Sequence, residues 1–156
     1  MNIHILAVGR FGRGRSHAAE RDLYEQFARR ITPSPVLVEV EEKRPLAVSE
    51  RKRREAELLR AALPAGAFVI ALDERGKALT STEFADRIAA VRDAGRRDIA
   101  FVIGGADGLD ESLRSSADLL LSFGKMTWPH MLVRGMLAEQ IYRAQSILAG
   151  HPYHRA

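Results

Sequence analysis

Cysteine is absent from the 156 residues. That excludes a disulfide framework, thiolate chemistry and a cysteine-based zinc site, and it suits a reducing cytoplasm. Long apolar runs are missing too. None approaches the roughly 20 residues of a membrane span, and the N-terminus reads directly into a strand, not a signal peptide. A cytoplasmic protein with no membrane partner is the expectation. Neither an internal repeat nor a low-complexity tract is visible. Gly104, Gly105 and Gly108 form G-G-x-x-G, not the dinucleotide fingerprint G-x-G-x-x-G, and they follow a late strand. No G-K-[ST] completes a phosphate loop. No serine sits in a G-x-S-x-G elbow, so a nucleophilic triad has no support.

What is present is an ordinary globular composition. Hydrophobic residues make up 46% and charged residues 28%, at a length that suits one domain over residues 1–156. The charge balance is basic, with 24 Lys and Arg against 20 Asp and Glu, a net +4. Arginine dominates the cations, and its planar fork matches phosphate geometry, so an anionic partner such as nucleic acid is expected.

Short β-branched runs alternate with amphipathic stretches. Ile3–Val8, Val36–Val40, Ala67–Leu72, Ile99–Ile103 and Leu119–Leu121 read as strands. Ser16 can cap a helix running to about Arg30, with Leu23, Phe27 and Ile31 on one face and Pro33 and Pro35 ending it. Ser49 can cap a second, with Ala56, Leu59 and Leu63 facing the core. Its Arg51–Arg54 run reads as a solvated face balanced by Glu50, Glu55 and Glu57, with nucleic-acid contact as the other reading. Thr80 and Glu83 make a capping box for a third helix carrying Phe84, Ile88 and Val91. Asp110 can cap a short fourth helix. Pro129 suits the first turn of a long last helix bearing Leu132, Met136, Leu137, Ile141, Ala144 and Leu148. Strands separated by helices imply crossover connections, hence an α/β fold with a mainly parallel sheet flanked by helices on both faces.

The Ile99–Ile103 run is uninterrupted and apolar, as expected for a strand buried on both faces, and it ends in Gly104-Gly105. Two glycines at the carboxyl end of such a strand let a ligand approach the backbone, although a plain tight turn gives the same pattern. Together with Leu72-Asp73 and the loop Ser122-Phe123-Gly124-Lys125-Met126-Thr127, they form a set of backbone donors and acceptors suited to an adenine edge and a ribose. Arg10, Arg13 and Arg15 lie on a glycine-punctuated loop that could track a phosphate backbone or simply be solvated. At the C-terminus Arg143, Tyr153, His154 and Arg155 make a cationic, partly aromatic cluster suited to phosphate and base contact, with a frayed tail as the alternative. His130, Glu139, His151 and His154 lack a third ligand at motif spacing, so no metal is expected.

The stretches L-D-E-R-G-K-A-L-T-S, F-V-I-G-G-A-D-G-L, M-T-W-P-H-M-L-V-R, L-A-E-Q-I-Y-R-A and G-H-P-Y-H-R, together with V-G-R near the start, resemble the RlmH family over essentially the whole chain. These are small SPOUT-class methyltransferases that modify N3 of a pseudouridine in 23S ribosomal RNA. The resemblance implies a C-terminal trefoil knot and S-adenosylmethionine bound by Leu72, Gly104, Gly105 and Ser122 to Thr127. It also implies a homodimer in which one subunit's tail completes the other's site, acting on the assembled 70S ribosome. Within that reaction His154 is the candidate base for the N3 proton, and Tyr153 would stack or orient. Glu139 would orient Arg143, while Arg10, Arg143, Arg155 and His130 would contact RNA. Two departures stand out: Ala106-Asp107 where the family commonly has Pro-Glu, and Phe123-Gly124-Lys125 within a loop that often reads S-L-S-x-x-T. A non-catalytic ribosome-binding module is the rival from another class. A methyltransferase acting on tRNA or another rRNA nucleotide is the rival enzyme.

Overall fold

The computed structural model describes residues 1–155. Five strands, β1 (Asn2–Val8), β2 (Val36–Val40), β3 (Phe68–Lys77), β4 (Asp98–Ile103) and β5 (Leu119–Leu121), form one sheet in the order β2-β1-β4-β3-β5. Every neighbouring pair is parallel. Helices α1 (Ala18–Ala28), α2 (Val48–Ala62), α3 (Ser81–Asp93), α4 (Glu111–Ser116) and α5 (His130–Leu148) make the crossovers. The expected α/β architecture is present.

Side chains alternate across the sheet, so consecutive strand residues enter different cores. Ile3, Ile5 and Ala7 join Ile70, Ile99, Phe101 and Ile103 beneath α1, α3 and α5. Leu6, Val8, Ala71, Ala100 and Val102 meet Ala56 and Leu59 of α2 and Leu113 of α4. The central strand β4 is buried on both faces, the reason its sequence is a continuous apolar run.

The capping box is complete: the Glu83 amide donates to Thr80 Oγ1 at 3.1 Å and the Thr80 amide to Glu83 Oε2 at 2.7 Å. Asp110 caps α4 through the Ser112 amide at 3.1 Å. Two expected caps are corrected. Helix α1 starts after His17 with no side-chain cap, because the Arg15 carbonyl already closes the entering turn on the Ala18 amide. Helix α2 starts after Ala47, again with no side-chain cap. The turn forms two residues before Ser49, with Arg51 donating its amide to Ala47 and a guanidinium N–H to the Leu46 carbonyl. Pro129 sits just before the first helical residue of α5, not within its first turn. Leu148 is 40% exposed at the end of α5, outside the apolar stripe expected to carry it.

Strand β3 also exceeds the sequence reading. Leu72 pairs with Leu121, residues 73–76 bulge outward, and Lys77 regains Leu121. Only glycine fits at position 76: a Cβ there would lie 2.6 Å from the Leu120 carbonyl carbon and oxygen.

One buried charge ties the layers together. Arg134 of α5 has no solvent exposure. It donates to Glu39 Oε2 of β2 at 2.6 Å and to the carbonyls of Val8 at 3.2 Å and Gly9 at 2.8 Å. Its guanidinium lies 4.3 Å from the Phe11 ring centre, and the Phe11 amide donates to the same Glu39 oxygen at 2.8 Å. Burial pulls its basicity below the usual arginine range, opposed by Glu39. Removing one partner of a buried pair leaves the other charge uncompensated, so Arg134→Ala should lower unfolding free energy by about 3–5 kcal/mol. A urea midpoint within error of wild type would show that the clamp contributes nothing.

Candidate functional site

A cleft of about 570 Å³ opens at the carboxyl edge of the sheet, where β3, β4 and β5 end against the start of α5. Such an edge gathers backbone groups left unpaired where strands stop. Leu72, Gly104, Gly105, Phe123, Gly124, Met126, Thr127 and His130 all line it. Residues far apart in the chain are thereby brought into one wall. The turn after β4 is tight: the Gly108 amide donates to the Gly105 carbonyl at 3.0 Å. A Cβ on Gly104 would lie 2.7 Å from the Gly108 carbonyl carbon, so the fold requires glycine there irrespective of any ligand.

The 122–127 loop is held from inside. Ser122 is buried, and its hydroxyl both accepts from the Gly124 amide at 3.0 Å and donates to the Gly124 carbonyl at 2.9 Å. Ser122 therefore closes the loop and lies outside the cleft lining, as does the exposed Lys125. Phe123 packs on the main core. Asp107, the shorter acid, is 3.7 Å from Arg51 of α2. Arg51 is thus paired with the glycine turn, a contact that neither the solvated nor the nucleic-acid reading of this face included. Glu55 is corrected as well. It is buried on the inward face of α2 with Ala56 and Leu59, where a Cβ on Gly105 would approach it to 3.4 Å. Burial pushes its carboxyl up, and Asp107 adds to that shift.

Asp73 lines the cleft and is held from behind by Arg114, a pairing that sequence reasoning did not make. The Asp73 carboxylate accepts the Arg75 amide at 2.9 Å and Arg75 Nε at 3.1 Å, while Arg114 Nη1 stands 3.7 Å away. Their separation in the chain leaves no pattern to read. Trp128 was visible only as a letter in a motif. Its indole N–H donates to the Phe123 carbonyl at 3.2 Å, and its ring lines the cleft. A lone tryptophan directly before Pro129 was the available signal. Burial holds His130 below the usual histidine range, with Arg134 and His17 adding to the effect.

The C-terminal cluster assembles on α5. Arg143 donates to Glu139 through Nε at 3.0 Å and through Nη2. The Tyr153 hydroxyl donates to the same carboxylate oxygen at 3.0 Å. Arg143 also lies over the Tyr153 ring, and Tyr142 meets that ring edge-on at 4.7 Å between centres. The guanidinium has only donors, so its 3.2 Å contact makes His154 Nδ1 an acceptor and places the neutral ring's proton on Nε2. Burial and Glu139 push the Tyr153 hydroxyl up. The tail is docked, not frayed.

This cluster is not at the cleft of the same chain. His130 and Arg143 lie on one helix, about 20 Å apart at 1.5 Å per residue. Glu139 lines a second, largely apolar cavity of about 490 Å³ between α1, α3 and α5, with Leu23, Phe27 and Met136. Arg10 pairs with Glu41 at 3.4 Å on the exposed loop after β1, and Arg155 is exposed. Neither lines the cleft. Among the described residues, no three His, Asp or Glu side chains gather as a metal site.

Comparison with known proteins follows the same outline. A family model described as "Predicted SPOUT methyltransferase" matches residues 1–154. A protein of Paramagnetospirillum magneticum named "Ribosomal RNA large subunit methyltransferase H" is 59% identical over 155 residues, 99% of either chain. Proteins of the same name from Rhodospirillum centenum and Ruegeria pomeroyi are 59% and 55% identical, covering 100% and 99% of both chains.

The tail geometry gives a direct test. A charged acceptor contributes about 1.5–3 kcal/mol to a hydrogen bond, so Glu139→Gln should raise amide exchange at Tyr153 about tenfold or more with little change in global stability. Unaltered exchange would show that the carboxylate does not hold the tail.

Proposed function

The chain belongs to the SPOUT methyltransferase family, and from that membership we propose that it transfers a methyl group from S-adenosylmethionine to N3 of a pseudouridine in 23S ribosomal RNA on the assembled 70S ribosome. The observation that carries this reading is the strand-end cleft, which gathers Leu72, Gly104, Gly105 and most of the 122–127 loop into one wall. Its volume lies in the range of small-molecule sites. Full-length relatives named as large-subunit ribosomal RNA methyltransferases supply the substrate class. A ribosomal substrate also places the protein in the cytoplasm. No helix among the described residues is long and apolar enough to cross a membrane.

The cleft fits the cofactor in chemistry as well as size. Leu72, Gly104, Gly105 and the loop offer backbone donors and acceptors for a purine edge and ribose. Bound there, S-adenosylmethionine supplies a methyl group already activated on a sulfonium. The chain's own task is to align the RNA nitrogen, exclude water and receive a proton. His154 takes the N3 proton on Nδ1, the nitrogen that Arg143 occupies in the docked tail. For that lone pair to be free, Arg143 turns toward the developing charge on the base or toward phosphate. Tyr153 orients the base, and Glu139 fixes Arg143 in the resting arrangement. His130 faces the cleft as a neutral contact for a base oxygen, and Arg10 and Arg155 meet phosphates.

Distance argues for two copies. With the tail cluster about 20 Å along α5 from His130, one chain does not bring its own tail to its own cleft. In a homodimer the tail of one copy completes the site of the other. The apolar cavity between α1, α3 and α5 is the face suited to that contact. The trefoil knot belongs to the same reading, with α5 returning from the 122–127 loop to pack on α1 and α3.

The test is transfer of labelled methyl to 70S ribosomes lacking the modification, with separated subunits and naked 23S RNA in parallel. Label on pseudouridine in 70S particles is expected. Cofactor binding without label on any of these would direct the search to tRNA, or to a non-catalytic role. General base catalysis contributes at least about a hundredfold, so His154→Ala should lower kcat by that factor while cofactor affinity survives. Unchanged turnover would remove His154 as the base.

A further inference from the structure

We propose that Trp128 is a stacking platform for an unpaired RNA base at the mouth of the cleft, an inference that rests on the reading of the chain as an RNA methyltransferase. Trp128 is the chain's single tryptophan. It is 40% exposed, beside Met126 at 75%, and both line the cleft. Both leave apolar surface open at the same cleft, surface that burial would otherwise stabilise.

The ring is set in place for contact. Its one polar group is satisfied, since the indole N–H donates to the Phe123 carbonyl at 3.2 Å. That bond fixes one edge of the ring and leaves its π-surface free of any need for a polar partner. Pro129 follows directly, and a residue before proline is confined to extended backbone. The side chain thus stands on a restrained segment that leads straight into α5.

Charge in the cleft lining itself is mixed: Arg75 is bonded to Asp73, and Glu74 and Asp107 line the same cleft. His130 lines it as a neutral group, and a Cβ on Gly9 would stand 3.6 Å from His130 Nε2. The loop carrying Arg10, Arg13 and Arg15 therefore begins at the cleft's edge. An exposed aromatic beside a cationic track is how proteins grip unpaired bases, with stacking for the base and arginine for the backbone. The same π-surface could accept the adenine of the cofactor. The ring's exposure, against a buried Gly104 and a half-buried Leu72 and Gly105, favours the RNA base.

Three measurements on intact Trp128→Ala and Trp128→Phe proteins separate these sources: affinity for S-adenosylhomocysteine by calorimetry, affinity for 70S ribosomes by co-sedimentation, and kcat/KM for methyl transfer. From the usual contribution of one stacked base, Trp128→Ala should weaken 70S binding and lower kcat/KM about 5- to 100-fold, with Trp128→Phe recovering most of the loss. Both variants lose the indole bond to the Phe123 carbonyl, so affinity for S-adenosylhomocysteine should change alike in the two, with Trp128→Phe recovering 70S binding and none of that change. A loss of S-adenosylhomocysteine affinity in Trp128→Ala that Trp128→Phe restores in parallel with 70S binding would assign the ring to the adenine and overturn the proposal. Unchanged 70S binding and kcat/KM would overturn it too. Wild-type protein that binds 70S and loses binding in Trp128→Ala, yet transfers no methyl group, would keep the platform and reject the proposed reaction. Wild type that neither binds nor methylates 70S would reject both.

Discussion

A guanidinium sealed from water is the constraint on which the rest of this molecule depends. Burying a cation is unfavourable unless its donors are matched, and Arg134 is matched by Glu39 and by the carbonyls of Val8 and Gly9. Those partners belong to β2, to the end of β1 and to the turn after it. The last helix is thereby fixed to the first two strands, and the fit is directional in a way that apolar packing is not. One turn before Arg134, His130 faces the cleft, while the turn after β1 opens the cationic loop. The clamp thus sets the relative positions of the cleft wall and the loop beside it. The unpartnered Arg134 Nε is the part of the match left incomplete.

From this frame follows a division of labour. The sheet edge contributes the backbone at the ends of β3 and β4, a loop pinned by Ser122 and by the Trp128 indole, and the side chains of Asp73, Glu74, Arg75, Asp107 and His130. A separate titratable cluster stands on the docked tail around Glu139 and Arg143. About 20 Å of one helix separates the two within a single chain. Between them lies a largely apolar cavity.

The parts of this architecture legible in the sequence are those governed by local rules. Continuous apolar runs gave the strands, and Thr80 with Glu83 gave a capping box whose two bonds are both present. Leu72, Gly104, Gly105 and the 122–127 loop were readable as one site because strand ends in a parallel sheet share an edge. Features set by distant pairing were not readable. Arg134 looks like any helical arginine until Glu39 is brought to it. Glu55 reads as surface charge until α2 turns it toward Gly105. Ser16 and Ser49 satisfy the composition of a cap, but the backbone enters each helix by another route. The continuation of β3 to Lys77 depends on close approach of Gly76 to Leu120, a contact with no local signature. Ser122 and Lys125 belong to the loop that borders the cleft while lying outside its lining, a distinction that only side-chain direction makes.

The proposed function requires the methyl donor to sit in the strand-end cleft. Amide hydrogen exchange of the intact protein, with and without saturating S-adenosylhomocysteine, reads this out segment by segment. Slowed exchange is expected in residues 71–76, 103–108 and 121–128, with residues 23–27 and 79–84 little changed. Protection confined to those last two segments, which border the other cavity, or binding with no protection at the strand ends, would contradict it.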